Sequence, residues 1–203
     1  NIIYSQVLNQ PANWPNENWA TSGEYTDLGL IAEPSTSDSF TFDDDAAGNT
    51  SLADIIMSES PVIDLTAAFN AGEVFISISG EYSHYDIGGY LGVEYYSADS
   101  NNWDYGVLDL QNTTNTVADY QNCENQVDFE TVIDISGFTA NELANFKYRF
   151  YYMDGNGWQW GWCIKSPSII SSSSVDCPNP EFYYWSMGTT MVGFSGSNNA
   201  TVT

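Results

Sequence analysis

The chain has 203 residues, enough for one large β domain or two small ones, and carries 27 acidic side chains against 3 basic ones, for a formal charge of −24. With Lys147, Arg149 and Lys165 as its only basic residues, it lacks the clustered cations that a nucleic-acid backbone requires. The same charge disfavours anionic lipid surfaces and acidic polysaccharides unless divalent cations bridge the two sets of negative charge. Neutral ligands, cations and protein partners remain. An aromatic content of 15% supplies more buriable area than a disordered chain carries. The abundance of Gly, Ser, Thr and Asn favours antiparallel sheet over helix.

Apolar alternation comes in short tracts separated by turn clusters, the pattern of a sandwich or barrel. An opening strand is expected over residues 2–8, followed by a proline-bearing loop at 9–18 (NQPANWPNEN). Further strands are expected at 25–32, 39–43, 60–65, 73–82, 89–98, 105–110, 126–135, 146–153 and 161–170. In the tract from 73 to 82, Val74, Ile76 and Ile78 point one way and Phe75, Ser77 and Ser79 the other, so one face is core and the other half-wet. Only 139–145 (TANELAN) reads as a helical turn, with Thr139 as cap and Glu142 three residues on. From 171 a Ser run and VDCPNP have linker composition, so 1–170 is expected to be one domain. Residues 171–203 then hold a linker and the first strands of a possible second β module. The polypeptide is expected to begin as a processed chain and to continue past Thr203.

Cys123, Cys163 and Cys177 fit neither a zinc site nor a CxxC redox motif. One disulfide with a spare thiol, or three buried thiols, both remain open. Asp43, Asp44, Asp45 and Asp54 crowd one loop (DDDAAGNTSLAD), and like charges this close are costly unless solvent or a cation screens them. Either the loop is simply solvated or it holds a structural Ca²⁺, which takes 6–8 oxygen ligands. Asp43, Asp45, Gly48 and Asp54 stand at EF-hand positions, but Ala47 supplies no side-chain oxygen at the fifth and no helix precedes the loop. A second acidic turn (DGNG) offers Asp154 and Asn156.

The densest aromatic stretch is Trp158, Trp160 and Trp162, preceded by Tyr151 and Tyr152. At period two the three indoles share a strand face, which either packs the core or forms a row on which sugar rings stack. His84 and Tyr85, in a polar aromatic loop, are further ligand candidates. Lys147 and Arg149 share one face of FKYRFYY; they are expected to pair across strands with carboxylates such as Asp128, Glu130 or Glu94, or to receive an anionic group of a ligand.

The ordered tracts SPVIDLT, EVFISISGEYS, GGYLGVEYYSADSNNWDYG, FETVIDISGFTA and FKYRFYYMDGNGWQWGWCIKSPSI span residues 60–169. Their succession resembles the jelly-roll domains called MAM-like, cleaved-adhesin or choice-of-anchor-J, found in secreted and surface proteins of bacteria with type IX secretion. The resemblance implies an all-β jelly-roll sandwich, followed by an immunoglobulin-like module, in a secreted or cell-surface protein. Where the family's final strand has an Asp after its Ile, often discussed as a metal ligand, this chain has Lys165. The expected function is non-catalytic recognition, either of a neutral polysaccharide or glycan through exposed aromatics or of a protein partner as an adhesive or structural module. A third reading is hydrolytic, because GVEYYSA and GFSGSNNATVT resemble two tracts of small jelly-roll xylanases. Glu94 then stands where the nucleophile would be, but Val192 occupies the place of the acid.

Overall fold

In the computed structural model the chain is described over residues 13–25, 28–48, 54–85, 89–110, 123–155 and 159–173. The expected strand at 2–8, the tail from 174 with Cys177, and the expected second module lie outside the described residues. The strands are β1 (Ala20–Gly23), β2 (Ile31–Ala32), β3 (Ser39–Phe42), β4 (Ile55–Glu59), β5 (Phe75–Tyr85), β6 (Tyr90–Ser97), β7 (Asn102–Asp109), β8 (Val127–Asp134), β9 (Tyr148–Met153) and β10 (Gly161–Ser172). Among the described residues, three helical turns interrupt them: α1 (Asp44–Ala47), α2 (Thr66–Asn70) and α3 (Ala140–Ala144).

The strands form two five-stranded antiparallel sheets, ordered β1-β4-β9-β6-β7 and β2-β3-β10-β5-β8. The fold is an all-β jelly-roll sandwich. Alternation decides which side chains lie between the sheets. Tyr148, Phe150 and Tyr152 of β9 and Leu91 and Val93 of β6 face Phe40 and Phe42 of β3, Ile76 and Ile78 of β5 and Trp162 and Ile164 of β10, all buried. Aromatic edges interlock through the interior, with Phe40 and Trp162 4.4 Å apart between centroids and Trp19 stacked on Phe150 at 6.2 Å. The residues of β9 at odd positions, Arg149 and Tyr151, therefore lie on the outer face of the first sheet.

Several expectations change in detail. The tract 60–65 is not a strand: β4 ends at Glu59, and only an isolated bridge joins Ile63 to Phe146. Of the described residues in the strand expected at 25–32, only Ile31–Ala32 pairs, against Phe42 and Thr41. The capping box of α3 is present, with Thr139 and Glu142 exchanging bonds, whereas α1 and α2 were not anticipated. β10 continues through Ser172, past the expected boundary at 170. The buried Ser171 hydroxyl donates to Glu73 at 2.6 Å, so the start of the Ser run is sheet rather than linker. Cys123 and Cys163 form a disulfide, tying the turn before β8 to the strand β10.

Candidate functional site

Two clusters stand out, one inside an end of the sandwich and one on its outer face. The first begins where β3 runs into α1. Asp43 caps that turn, accepting from the Ala46 backbone N–H at 3.0 Å. The cap turns Asp44 inward, where it is fully buried beside Asp54 (1% exposed) and Asp154 (1% exposed). One carboxylate oxygen from each lies within 4.8 Å of the others. The Tyr152 hydroxyl donates to Asp44. Tyr25 donates to Asp54 at 3.2 Å, and the Asp54 backbone N–H donates to Asp154 at 2.8 Å. The two acidic segments, expected as separate sites, are thus one cluster. Asp43 and Asp45 are not part of it, because the first is spent on the cap and the second is only half-buried. Asn156 lies outside the described residues.

Three buried carboxylates need compensation, since burial penalises each negative charge. The chain's Lys and Arg side chains are elsewhere: Lys147 and Arg149 engage Glu59 and Glu94, and Lys165 stands across from Glu81 on β5. Oxygen-only, anionic and buried, the donor set suits a hard cation such as Ca²⁺, and bidentate carboxylates count toward its 6–8 ligands.

The second cluster covers the outer face of β4, β9, β6 and β7. In register across three strands stand Glu59, Arg149 and Glu94. Arg149 Nε and Nη2 each lie 2.7 Å from Glu94 Oε2, Nη1 is 3.2 Å from the Met57 sulfur, and Glu59 is 3.9 Å away. Although both point outward, Glu94 is completely buried and the Arg149 side chain is 7% exposed. Aromatic rings account for much of this: the guanidinium carbon is 4.3 Å from the Trp103 centroid and 4.9 Å from that of Tyr151. Lys147 Nζ adds contacts with Tyr96 at 4.6 Å and Trp103 at 5.2 Å, and an ion pair with Glu59 at 3.3 Å.

A bulge between Val93 and Tyr95 places extra β7 residues opposite Glu94; such bulges re-aim side chains at a strand edge. Gly92 allows the close approach beside it, since a Cβ there would meet the Tyr90 hydroxyl at 2.1 Å. Tyr90 consequently lies along the sheet, 6.1 Å from Tyr151. Burial first, then the Glu94 and Asp109 carboxylates, push its phenol up to about 12, partly offset by Arg149. The face therefore presents four half-buried rings, Tyr90, Tyr96, Trp103 and Tyr151, over a layer of paired charges.

The ligand residues expected from the sequence divide. Trp162 is fully buried against Phe40 and Tyr152 and is a core residue. His84 is also fully buried, with Nδ1 3.1 Å from the Leu110 carbonyl, rather than in an exposed loop. Trp160 precedes β10 and is half-buried; Gly161, at φ 117°, interrupts the period-two alternation that was to align the indoles. Trp158 and the Tyr85 side chain lie outside the described residues. Tyr151 is on the outer face. The expected pairing of Arg149 is found with Glu94, and Asp128 and Glu130 belong to β8 in the other sheet. Glu94, where the hydrolytic reading placed a nucleophile, is fully buried and held by the Arg149 guanidinium. Tyr90, Tyr96 and Trp103 were missed, though the hairpin GVEYYSADSNNWDYG, folded at its SADSN turn, sets Tyr96 opposite Trp103.

No family model matches the chain, and no curated protein does. Among solved structures, a "xylan-binding module CBM15" is similar over 85% of this chain and 97% of its own, at 12% identity and TM-score 0.43. TmCBM61, solved with beta-1,4-galactotriose, is similar over 74% of this chain and 86% of its own, at 11% identity and TM-score 0.41. Xylanase10C from Cellvibrio japonicus is similar over 83% of this chain but only 28% of its own, at 12% identity and TM-score 0.38. With these identities and scores, the likenesses assign no ligand to this chain.

Proposed function

We propose that this domain is a non-catalytic recognition module of a secreted or cell-surface protein that binds a neutral glycan on the outer face of the β1-β4-β9-β6-β7 sheet. One observation carries the reading: four half-buried rings, Tyr90, Tyr96, Trp103 and Tyr151, gather on a single sheet face and are interleaved with paired polar groups. Flat rings stack on the C–H faces of pyranoses, and charged or amide groups at their margins bond hydroxyls. Each cation on the face already has a carboxylate within 4 Å, so the face offers little attraction to a uronate or sulfate, and the net charge of −24 repels one. The Cys123–Cys163 disulfide agrees with an oxidising compartment. A glycan array followed by calorimetry on Trp103→Ala and Tyr151→Ala tests the proposal. Binding by the parent and loss in both variants is expected; no signal on the array, or binding unchanged in both, refutes it.

A structural Ca²⁺ held by Asp44, Asp54 and Asp154 belongs to the same proposal. Its support is the convergence of three buried carboxylates, two from one loop and the third from a segment far away in sequence, where a cation would replace repulsion by coordination. A ligand that binds only the folded state stabilises it by mass action, by about 2.7 kcal/mol at a hundred times its Kd. Millimolar CaCl₂ is expected to raise the melting temperature of EDTA-treated protein, and Asp54→Asn is expected to abolish that rise. Equal midpoints at matched ionic strength would remove the metal from the account.

A further inference from the structure

We infer that the Arg149–Glu94 pair is a positioning device for the recognition face, fixing Trp103 and Tyr151 from beneath without touching the ligand. The inference rests on the glycan-binding reading for what the rings do, but not for how they are held. A buried ion pair gives up hydration that its mutual attraction only partly returns, and apolar replacements are often as stable. Stability alone therefore gives little reason to bury Glu94 completely and place one of only three basic residues over it.

The geometry supplies a reason. Two guanidinium nitrogens are fixed on one oxygen of Glu94, a third reaches the Met57 sulfur, and the plane so oriented has Trp103 at 4.3 Å and Tyr151 at 4.9 Å from its central carbon. Cation–ring attraction strengthens as the cation is desolvated, and Arg149 is 7% exposed. The two rings come from different strands, β7 and β9, so one guanidinium sets the angle of a platform that spans β6. Ligand contact through Arg149 itself is disfavoured by its burial. Lysine cannot substitute, because it brings the charge as a point on a flexible stem, without the plane or the fork.

Arg149→Lys is therefore the informative variant. It keeps a cation between Glu59 and Glu94 but loses the planar surface against both rings. The expected result is glycan binding about tenfold weaker, together with a shifted ¹⁹F resonance for Trp103 in protein labelled with 5-fluorotryptophan, that resonance being assigned by its loss in Trp103→Phe. In the Trp103→Phe background, Arg149→Lys is expected to cost measurably less than in the parent, because part of its effect passes through the missing indole. Affinity within twofold of the parent, an unmoved Trp103 resonance, or a loss of the same size in both backgrounds would overturn the inference. The last outcome would make Arg149 a direct ligand contact. Should no glycan bind the parent, the recognition reading fails while the ¹⁹F resonance still decides the positioning claim. If Arg149→Lys does not fold, Glu94→Gln, which keeps the shape and an acceptor oxygen but weakens the anchor, is put through the same measurements with the same criteria.

Discussion

Trp162 and Trp103 make opposite predictions from the same residue type. Trp162 has no exposed surface and packs with its centroid 4.4 Å from Phe40 and 5.7 Å from Tyr152. Truncating it to Ala removes its transfer free energy and leaves a cavity between the sheets, a loss of about 3–5 kcal/mol. In a domain of this size each kcal/mol moves the midpoint by roughly 2–4 °C, so Trp162→Ala is expected to melt roughly 6–20 °C lower. Its outer face is untouched, and at a temperature well below that midpoint it should bind glycan as the parent does. Trp103 is half-buried on the outer face and stands to lose its contacts with Arg149, Lys147 and Tyr96, about 2 kcal/mol. Trp103→Ala is expected to melt closer to the parent than Trp162→Ala does and to bind far more weakly. Circular-dichroism melts and calorimetry on both variants decide the matter. Lost binding in a stable Trp162→Ala, or a melt collapsed by Trp103→Ala with binding intact, would refute the assignment of the two tryptophans.

Two further predictions concern stability. The Cys123–Cys163 bond closes a loop with a sequence separation of 40, for which the chain-entropy relation gives about 4 kcal/mol; Cys123→Ala with Cys163→Ala is expected to lower the denaturant midpoint accordingly, and an unchanged midpoint would show that the closure contributes nothing. Burial raises the Tyr148 phenol above its ordinary value, so above about pH 10 the unfolded chain releases a proton that the folded chain retains, and stability falls by about 1.4 kcal/mol per pH unit from this group. Below pH 10 both states hold the proton and the group adds no slope. Tyr148→Phe should therefore flatten the alkaline limb of a stability–pH curve, and a limb of unchanged steepness would refute the assignment.

The fold was legible because alternation at period two survives wherever a strand has one buried face. Ile76 and Ile78 on β5 are buried as the pattern requires, and Tyr148, Phe150 and Tyr152 alternate with outward residues on β9. Where the tertiary setting overrides propensity, the reading failed. SPVIDL has strand-like residues, yet β4 lies just before it, and Val62 projects to solvent while Ile63 and Leu65 are buried. The helix at 140–144 was readable because its cap is a local exchange between Thr139 and Glu142. The turn at 44–47 was not, since its first acids read as a metal loop.

The candidate site divides along the same physical line. Asp44, Asp54 and Asp154 were all named from the sequence, because acidic crowding is local, but the meeting of Asp154 with the other two was not, because it depends on the ends of β3 and β9 and the start of β4 lying at the same end of the sandwich. Of the aromatic face only Tyr151 was named, for the opposite reason. The sequence groups three tryptophans within five residues, and a left-handed Gly161 takes the last of them into the core. The rings that gather on the surface come from residues 90, 96, 103 and 151, united by strand order rather than by proximity in the chain. Charge was the better guide: with so few cations in the chain, Lys147 just before β9 and Arg149 two residues on within it mark the outward face of the central strand. Among the described residues, every ring that either cation touches, Tyr96, Trp103 or Tyr151, lies on that face. In a chain this acidic, following the scarce cations to the rings around them locates the clustered aromatic face more directly than counting tryptophans.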